Sequence, residues 1–187
     1  MDACLLVKPD PSMEAEILAY RAEMLAAGSS MDGTGPLRRM EDAMEWLAFN
    51  RSLEFSETVP AGLVLADQYV FLRLSDRRIL GMIQFRRELN EYLSRYGGHI
   101  GYSVRPSERR KGYARRMLAE CLAICAAQGL TRALISCLTD NEASRRTILS
   151  CGGLYENTVY CERDRCDLQR YWIALTPEAA GAPSTGG

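Results

Sequence analysis

Hydrophobic residues in this chain follow two spacings, one typical of strands and one typical of helices. Short, nearly continuous apolar runs predict strands at 3–7, 69–74, 79–85, 99–104 and 133–138, near Val159, and at 171–175. Apolar residues three and four apart predict helices over 11–28, 37–50, 112–128 and 140–151. Strands and helices that alternate in this order predict an α/β (α+β) fold.

Two local arrangements of strands follow from the segments between them. The polar residues 75–78 separate the apolar runs 69–74 and 79–85, which predicts a β-hairpin. Gly81 in the second run indicates a bulge or a close approach of another part of the backbone. A strand, a helix and a strand between residues 99 and 138 predict a βαβ unit, whose strands run parallel with a right-handed crossover.

Three consecutive cations stand immediately before a predicted helix. Arg109, Arg110 and Lys111 precede Gly112, and Pro106 ends the strand before them. The first N–H groups of a helix have no partner within the helix, and the helix dipole adds partial positive charge at that end. Both features favour phosphate, so the stretch predicts an anion site. The glycine patterns of nucleotide P-loops and of dinucleotide-binding folds do not occur here.

The composition is that of a globular protein. Its 187 residues are 47% hydrophobic and 25% charged, which predicts one domain over 1–178 and a flexible tail at 179–187. No apolar run approaches the ~20 residues that span a bilayer, and the N-terminus lacks a signal-peptide pattern, so we expect a cytoplasmic protein with no membrane partner. The net charge of −1, without a uniformly basic surface, argues against a nucleic-acid partner.

Cysteine and histidine are not spaced as in a metal site. The seven cysteines are an odd number without Cys-x-x-Cys spacing, and His99 is the single histidine. Neither a metal site nor a disulfide framework is therefore expected.

The spacing of several motifs resembles that of the GNAT acetyltransferase family. Arg109-x-x-Gly112-x-Ala114 is similar to the pyrophosphate loop of the family, and Asn141 and Ser144 stand at the positions of its Asn-x-x-Ala/Ser helix start. The resemblance covers most of residues 60–175 and is weak before residue 60. It implies the GNAT fold, in which a central, mixed, largely antiparallel twisted sheet is splayed at the cofactor site by the parallel βαβ unit and has helices on both faces. It also implies acetyl-CoA as the acyl donor, without a metal.

The same resemblance assigns residues to coenzyme A. The splayed strand would offer main-chain groups to the pantetheine arm and the thioester carbonyl. The two N-terminal helices and their loop would form part of the acceptor-binding wall, whereas the sequence alone makes them ordinary packing helices. The cofactor-binding residues implied are Tyr102, Ser103 and Val104 through their main chain, together with Arg109, Arg110, Lys111, Gly112, Tyr113, Ala114, Asn141 and Ser144.

Proton transfer is where the chain departs from the family. The family usually places a Tyr that protonates the departing thiolate where this chain has Ile148. A thiol with a pKa of about 8.5 leaves tolerably as the thiolate near neutral pH, so water, Tyr155 or Tyr160 is expected to substitute. His99 falls where many members carry a glutamate base, and an imidazole accepts protons near neutral pH. The alternative interpretation is that His99 caps the start of its strand.

From this resemblance we expect an N-acetyltransferase of the GNAT type. It would transfer the acetyl group of acetyl-CoA to a primary amine, on a small molecule or a peptide, by direct attack in a ternary complex. The alternative is a non-catalytic domain that binds acyl-CoA as a sensor or regulator. The expected partners are acetyl-CoA and an amine acceptor that the sequence does not identify, and a homodimer stays open.

Overall fold

The computed structural model describes residues 2–175, within which seven strands and four α-helices form. The strands are β1 (Cys4–Val7), β2 (Ala66–Arg73), β3 (Arg78–Arg86), β4 (Ile100–Val104), β5 (Arg132–Leu138), β6 (Leu154–Cys161) and β7 (Cys166–Ala174). The helices are α1 (Glu14–Ala26), α2 (Ala43–Ser52), α3 (Tyr113–Ala127) and α4 (Glu142–Ser150). The predicted tail 179–187 and the end of the predicted domain lie outside the described residues.

The strands form two antiparallel sheets that meet at β4 and β5. The first sheet has the order β1-β2-β3-β4, and the second has the order β5-β7-β6. Near the start of both strands, the His99 N–H donates to the Leu134 carbonyl at 2.7 Å. In the middle of β4, Tyr102 contacts Ser144, which follows β5 in the chain. β4 and β5 therefore run in the same direction and separate, as expected for a largely antiparallel sheet that a parallel βαβ unit splays.

Each face of the first sheet buries a separate hydrophobic core. Tyr69 and Phe71 of β2 face a core shared with α3, α4 and the second sheet, whereas Val70 and Leu72 face a core shared with α1 and α2. Because successive side chains of a strand point to opposite faces, a strand that is covered on both faces is apolar throughout. This explains the continuous apolar runs from which the hairpin was predicted.

Gly81 lies at a bulge and also at a close backbone approach, the two alternatives that its position indicated. Phe71 pairs with Gly81 and Leu72 pairs with Ile79, so one extra residue is inserted in β3. A Cβ on Gly81 would lie 2.9 Å from the carbonyl oxygen of Ser103 in β4. Only glycine lets β3 and β4 pair at this point.

The second helix begins six residues later than its predicted start at 37. Residues 36–40 form turns in which the Arg39 and Met40 N–H groups donate to the Pro36 carbonyl. α2 begins after Asp42, whose carboxylate accepts the Met44 N–H at 2.6 Å and the Glu45 N–H at 3.2 Å. An aspartate N-cap thus decides the start of the helix, which apolar spacing alone placed too early.

The connection between β3 and β4 contains a turn that the sequence did not predict. Residues Leu93–Gly97 form a single π-helical turn, and the Asn90 side chain accepts the Leu93 N–H at 2.9 Å. A single turn gives too few residues for hydrophobic periodicity to reveal it. In the described part of the chain, no helix has the length and hydropathy required to cross a membrane.

Candidate active site

The backbone of β4 faces an opening on the side away from β3. The Arg105 N–H donates to the Leu80 carbonyl at 2.8 Å, and the His99 carbonyl accepts the Arg86 N–H at 2.7 Å. Alternate residues of an antiparallel strand bond to the same neighbour, so the main chains of 101, 103 and 105, together with the His99 carbonyl, face β3. The polar main-chain groups of Tyr102 and Val104 therefore point into the opening between β4 and β5, whereas those of Ser103 do not.

The segment between β4 and α3 ends in an exposed loop, residues 109–112, with two residues in the left-handed region. Arg110 has a φ of 62° and Gly112 a φ of 79°, and the position of a Cβ on Gly112 has no other atom within 4 Å. The first N–H groups of α3, at Tyr113 and Ala114, have no partners within the helix. The Tyr113 ring is fixed against Phe71. The loop thus directs a set of backbone donors into open space, which is the geometry of a phosphate site.

Of the three consecutive cations Arg109, Arg110 and Lys111, two have charges that no carboxylate compensates within the described residues. Arg109 donates to the Val104 carbonyl at 3.2 Å and to Ser29 Oγ at 2.8 Å. Arg110 is exposed and forms no ion pair there. Lys111 Nζ, in contrast, lies 2.8 Å from the Glu108 carboxylate. Arg109 and Arg110 are the side chains best placed to attract a phosphate.

Two buried charges earlier in the same segment hold the shape of the loop. Glu108 is buried and lies 3.3 Å from Arg73 as well as close to Lys111. Burial opposes ionisation of Glu108, but the hydrogen bond from Lys111 and the charge of Arg73 outweigh it, so its pKa is lowered. Arg105, also buried, lies 3.0 Å from Glu16. Because breaking a buried ion pair is costly, these contacts favour a single loop conformation.

One side chain bridges the opening between β4 and α4. The Tyr102 hydroxyl lies 2.9 Å from Ser144 Oγ, and the Asn141 side chain accepts the Ser144 N–H at 3.1 Å, which caps α4. Burial raises the pKa of Tyr102 to about 12. The structure thus brings together Tyr102, Asn141 and Ser144 from the predicted cofactor-binding set.

A buried isoleucine replaces the family's usual acid, and the two tyrosines considered for proton donation lie on a strand that does not neighbour β5. Ile148 is 0% exposed and fills the space beside Gly153. Tyr155 and Tyr160 are 56% and 54% exposed on β6, which β7 separates from β5. The Tyr155 hydroxyl is 2.9 Å from Thr158 Oγ1. The geometry does not bring either tyrosine to the main chain of β4.

The hydrogen bonding of His99 favours the interpretation that it caps its strand. Nδ1 of His99 accepts the Leu134 N–H at 2.9 Å. A neutral imidazole has one acceptor nitrogen, so Nε2 must carry the proton and has no lone pair left for an amine proton. Burial, together with the charges of Arg86 and Arg132, lowers the pKa of His99 below its ordinary value, which also favours the neutral ring. A general-base role would require the bond to Leu134 to break.

The loop between α1 and α2 packs directly against β4. A Cβ on Gly33 would lie 2.0 Å from the Gly101 carbonyl oxygen, so the two backbones are in direct contact. Ser103 Oγ donates to the Asp32 carbonyl at 2.7 Å and accepts the Tyr20 hydroxyl at 3.0 Å. The loop therefore forms a wall next to β4, where the resemblance implied an acceptor-binding wall.

Sequence reasoning did not single out Arg86, whose Nη1 donates to the carbonyls of Gly97 at 3.1 Å and Gly98 at 3.2 Å before β4. An arginine at the end of a strand gives no signal of its own, because it is typical of a solvated strand end. The cluster of glycines at 28–36 was a signal, but for a flexible loop rather than for contact with β4. No group of three His, Cys, Asp or Glu residues between residues 2 and 175 is placed to hold a metal ion.

Solved structures with the same arrangement are bacterial acetyltransferases. The ribosomal-protein-S5-alanine acetyltransferase of Vibrio fischeri is 18% identical, with 94% of each chain covered and a TM-score of 0.69. The yncA protein of Salmonella typhimurium, solved with acetyl-CoA, is 18% identical over 99% of this chain and 100% of that chain, with a TM-score of 0.66. RimL, a ribosomal L7/L12 acetyltransferase solved with coenzyme A, is 19% identical over 92% and 94%, with a TM-score of 0.68. These similarities show a shared fold.

Sequence comparison with families is more specific. Among curated proteins, no sequence matches this chain. The profile described as the Acetyltransferase (GNAT) family matches residues 39–152, which is more than half of the chain. The matched region includes the loop before α3 and the start of α4. The chain therefore belongs to the GNAT family of acetyltransferases.

Proposed function

We propose that the protein transfers the acetyl group of acetyl-CoA to a primary amine in a ternary complex. The observation that carries this proposal is the opening beside β4, into which the main chains of Tyr102 and Val104 point. The loop of residues 109–112, before α3, follows the end of β4. Arg109, Arg110 and the first N–H groups of α3 would bind the pyrophosphate. The N–H groups of β4 would hold the pantetheine arm and the acyl carbonyl.

The chemistry that this arrangement supports is direct attack. The amine nitrogen forms a bond to the acetyl carbon, the carbon–sulfur bond breaks, and the thiolate of coenzyme A leaves. Main-chain N–H groups that face the opening would stabilise the oxyanion, a type of contact that is typically worth about 10²–10³ in rate. The amine proton passes to water, and a thiolate with a pKa of about 8.5 leaves without a side-chain acid.

Two measurements test this proposal together. Calorimetry with acetyl-CoA should give a dissociation constant, and thiol release with a panel of primary amines should depend on the amine. The Gly112→Asp variant should lose both, because its carboxylate would meet the pyrophosphate. Binding of acetyl-CoA without thiol release for any amine would exclude the acetyltransferase.

A non-catalytic acyl-CoA sensor is the second candidate. The observation that favours it is Ile148, which is fully buried where the family usually has its acid. A sensor would bind acetyl-CoA as tightly as an enzyme but would release no thiol in the presence of amines. It would also change its affinity for a partner protein when acetyl-CoA is bound.

We also propose that the protein works in the cytoplasm. All seven of its cysteines are free thiols, five of them buried. Proteins that keep their thiols unpaired are typical of reducing compartments. Cell fractionation, with detection of the full chain, tests this proposal, and recovery in an oxidising compartment would contradict it.

A further inference from the structure

Two cysteines lie directly opposite each other at the end of the β6–β7 hairpin. Cys161 ends β6, Cys166 begins β7, and the register of the two strands pairs them. Opposite residues of an antiparallel pair project to the same face of the sheet, with Cα atoms about 4.5–5.5 Å apart. This separation lies within the roughly 4.4–6.8 Å that a disulfide spans. Both residues are free thiols in the structure.

The type of strand pair would strain a disulfide at this position. The Thr139 N–H donates to the Asp167 carbonyl at 3.1 Å, so the main chain of Asp167 faces β5 and that of Cys166 faces β6. Cys161 and Cys166 are therefore a hydrogen-bonded pair, in which opposite side chains are further apart than in the alternate pairs. A disulfide would draw the end of the hairpin together. Strained disulfides are easily reduced, which is typical of regulatory bonds rather than structural ones.

The two thiols differ in their access to solvent. Cys166 is half-buried, whereas Cys161 is 0% exposed. A small-molecule disulfide therefore reaches Cys166 first. Burial, together with the neighbouring Cys161 and Asp164, raises the pKa of Cys166, so little of this thiol is ionised at neutral pH and its exchange is slow. The position of the equilibrium is therefore more informative than the rate.

We propose that Cys161 and Cys166 form a reversible disulfide when the surrounding thiol pool becomes oxidised. The Cys166 thiolate attacks a small-molecule disulfide such as glutathione disulfide, whose S–S bond breaks and releases one thiolate. The Cys161 thiolate then attacks the resulting mixed disulfide and releases the second thiolate. The protein loses two protons and two electrons, and one glutathione disulfide becomes two glutathione thiols. In a reducing compartment the pair stays as free thiols, in agreement with the proposed location.

The hairpin turn connects this pair to the segment before β4. Cys161 Sγ donates to Asp164 Oδ2 at 3.3 Å, and the same oxygen accepts the Tyr92 hydroxyl at 2.9 Å. Cζ of Arg163 lies 3.9 Å from the centre of the Tyr92 ring. A disulfide sulfur has no proton to donate, so oxidation removes the bond from Cys161 and shifts the turn. The disulfide should therefore loosen the contacts between the turn and residues 90–97.

The test equilibrates the full chain in a series of glutathione buffers and then blocks the remaining thiols with N-ethylmaleimide under denaturing conditions. The reduced chain takes seven labels, and the disulfide form takes five (7 − 2). Trypsin cuts after Arg163 and Arg165, so the disulfide would link peptides 147–163 and 166–170. We expect this link at oxidising ratios of glutathione and its complete loss at reducing ratios.

Cys151 is the matched control, because it lies in the same tryptic peptide as Cys161. Its thiol donates to the carbonyl of Arg115 in α3 rather than to the hairpin. Cys151→Ser should keep the link, whereas Cys161→Ser and Cys166→Ser should each lose it. If Cys161→Ser does not fold, Cys166→Ser, a change at the half-buried position, gives the same reading.

Three results would overturn the inference. They are seven labels at every ratio of glutathione, a link that survives an excess of reduced glutathione, and a glutathione adduct on Cys166 that Cys161 does not displace. None of these measurements requires acetyl-CoA or an amine, so they do not depend on the proposed function.

Amide hydrogen exchange tests the connection to the segment before β4. Exchange in residues 90–97 should rise about threefold or more when the wild type is oxidised, as expected for the loss of a weak hydrogen bond. Cys166→Ser in the same oxidising buffer should show no rise. Unchanged exchange in the oxidised wild type would overturn the connection between the disulfide and this segment.

Discussion

The phenol oxygen of Tyr102 lies 2.9 Å from Ser144 Oγ and 3.3 Å from the Ser144 carbonyl oxygen. One side chain therefore connects β4 with the start of α4, across the opening where the two sheets separate. Burial raises the pKa of Tyr102 to about 12, so this hydroxyl is a protonated donor at neutral pH. A group with that pKa is a poor proton source for a thiolate with a pKa of about 8.5. The contact is suited to fixing the width of the opening.

Tyr102→Phe is expected to reduce the free energy of unfolding by about 0.5–1.5 kcal/mol, the usual net contribution of one hydrogen bond. The turnover number should change by less than about tenfold, since the phenol is not the acid. Urea unfolding and steady-state kinetics measure the two effects. Ser144→Ala should cost a similar amount, and the double variant should cost less than the sum. A large loss of turnover at unchanged stability would instead identify Tyr102 as the acid.

Tyr155→Phe and Tyr160→Phe are expected to keep the wild-type turnover number. Both residues lie on β6, two strand spacings from β5, which is about 10 Å. The measurement is the rate of thiol release at saturating acetyl-CoA and amine. A fall of about a hundredfold in either variant would show that the tyrosine reaches the departing thiolate.

Gly112→Ala is expected to weaken acetyl-CoA binding about tenfold or more, because the new Cβ enters the space in front of the α3 N–H groups. Gly129→Ala, beyond the other end of α3, is the matched control. Gly129 has a φ of 90° against 79° for Gly112, and neither Cβ position has a neighbour within 4 Å. Both variants should lose similar stability from backbone strain. If calorimetry finds equal affinities for acetyl-CoA in the two variants, the loop before α3 does not bind the pyrophosphate.

His99→Asn tests the role of the histidine through the pH dependence of stability. Burial, then Arg86 and Arg132, hold the folded-state pKa of His99 below its ordinary value of 6.5. The unfolded chain therefore binds the proton at higher pH than the folded chain does. The stability contributed by neutral His99 is complete above about pH 6.5 and is lost as the pH falls toward the lowered pKa.

Between pH 8 and pH 5.5, the wild type is therefore expected to lose more free energy of unfolding than His99→Asn. Asparagine retains an acceptor for the Leu134 N–H through its side-chain oxygen. The pH–rate profiles of the two proteins should coincide over the range in which both are folded. If a pKa seen in the wild-type pH–rate profile is absent from that of His99→Asn, His99 acts as the general base.

Most of the secondary structure followed from local pattern. The apolar runs of β2 and β3 are continuous because each strand is buried on both faces, and the cations before Gly112 stand at a helix start. The start of α2 and the turn at Leu93–Gly97 were not predicted correctly from hydrophobic spacing, because side-chain caps at Asp42 and Asn90 decide them. Caps act through single hydrogen bonds, which hydrophobic periodicity does not record.

The sequence by itself determined the family, the order of elements and the position of the three cations before α3, because each depends on residues that are neighbours along the chain. Only the tertiary structure decided which main-chain groups face the opening, since this depends on the register between β3 and β4. It also decided that the only acceptor nitrogen of a neutral His99 is occupied by the Leu134 N–H, and that Gly33, distant along the chain, lies against Gly101 of β4. Such relationships arise from contacts between distant segments, which no local pattern encodes.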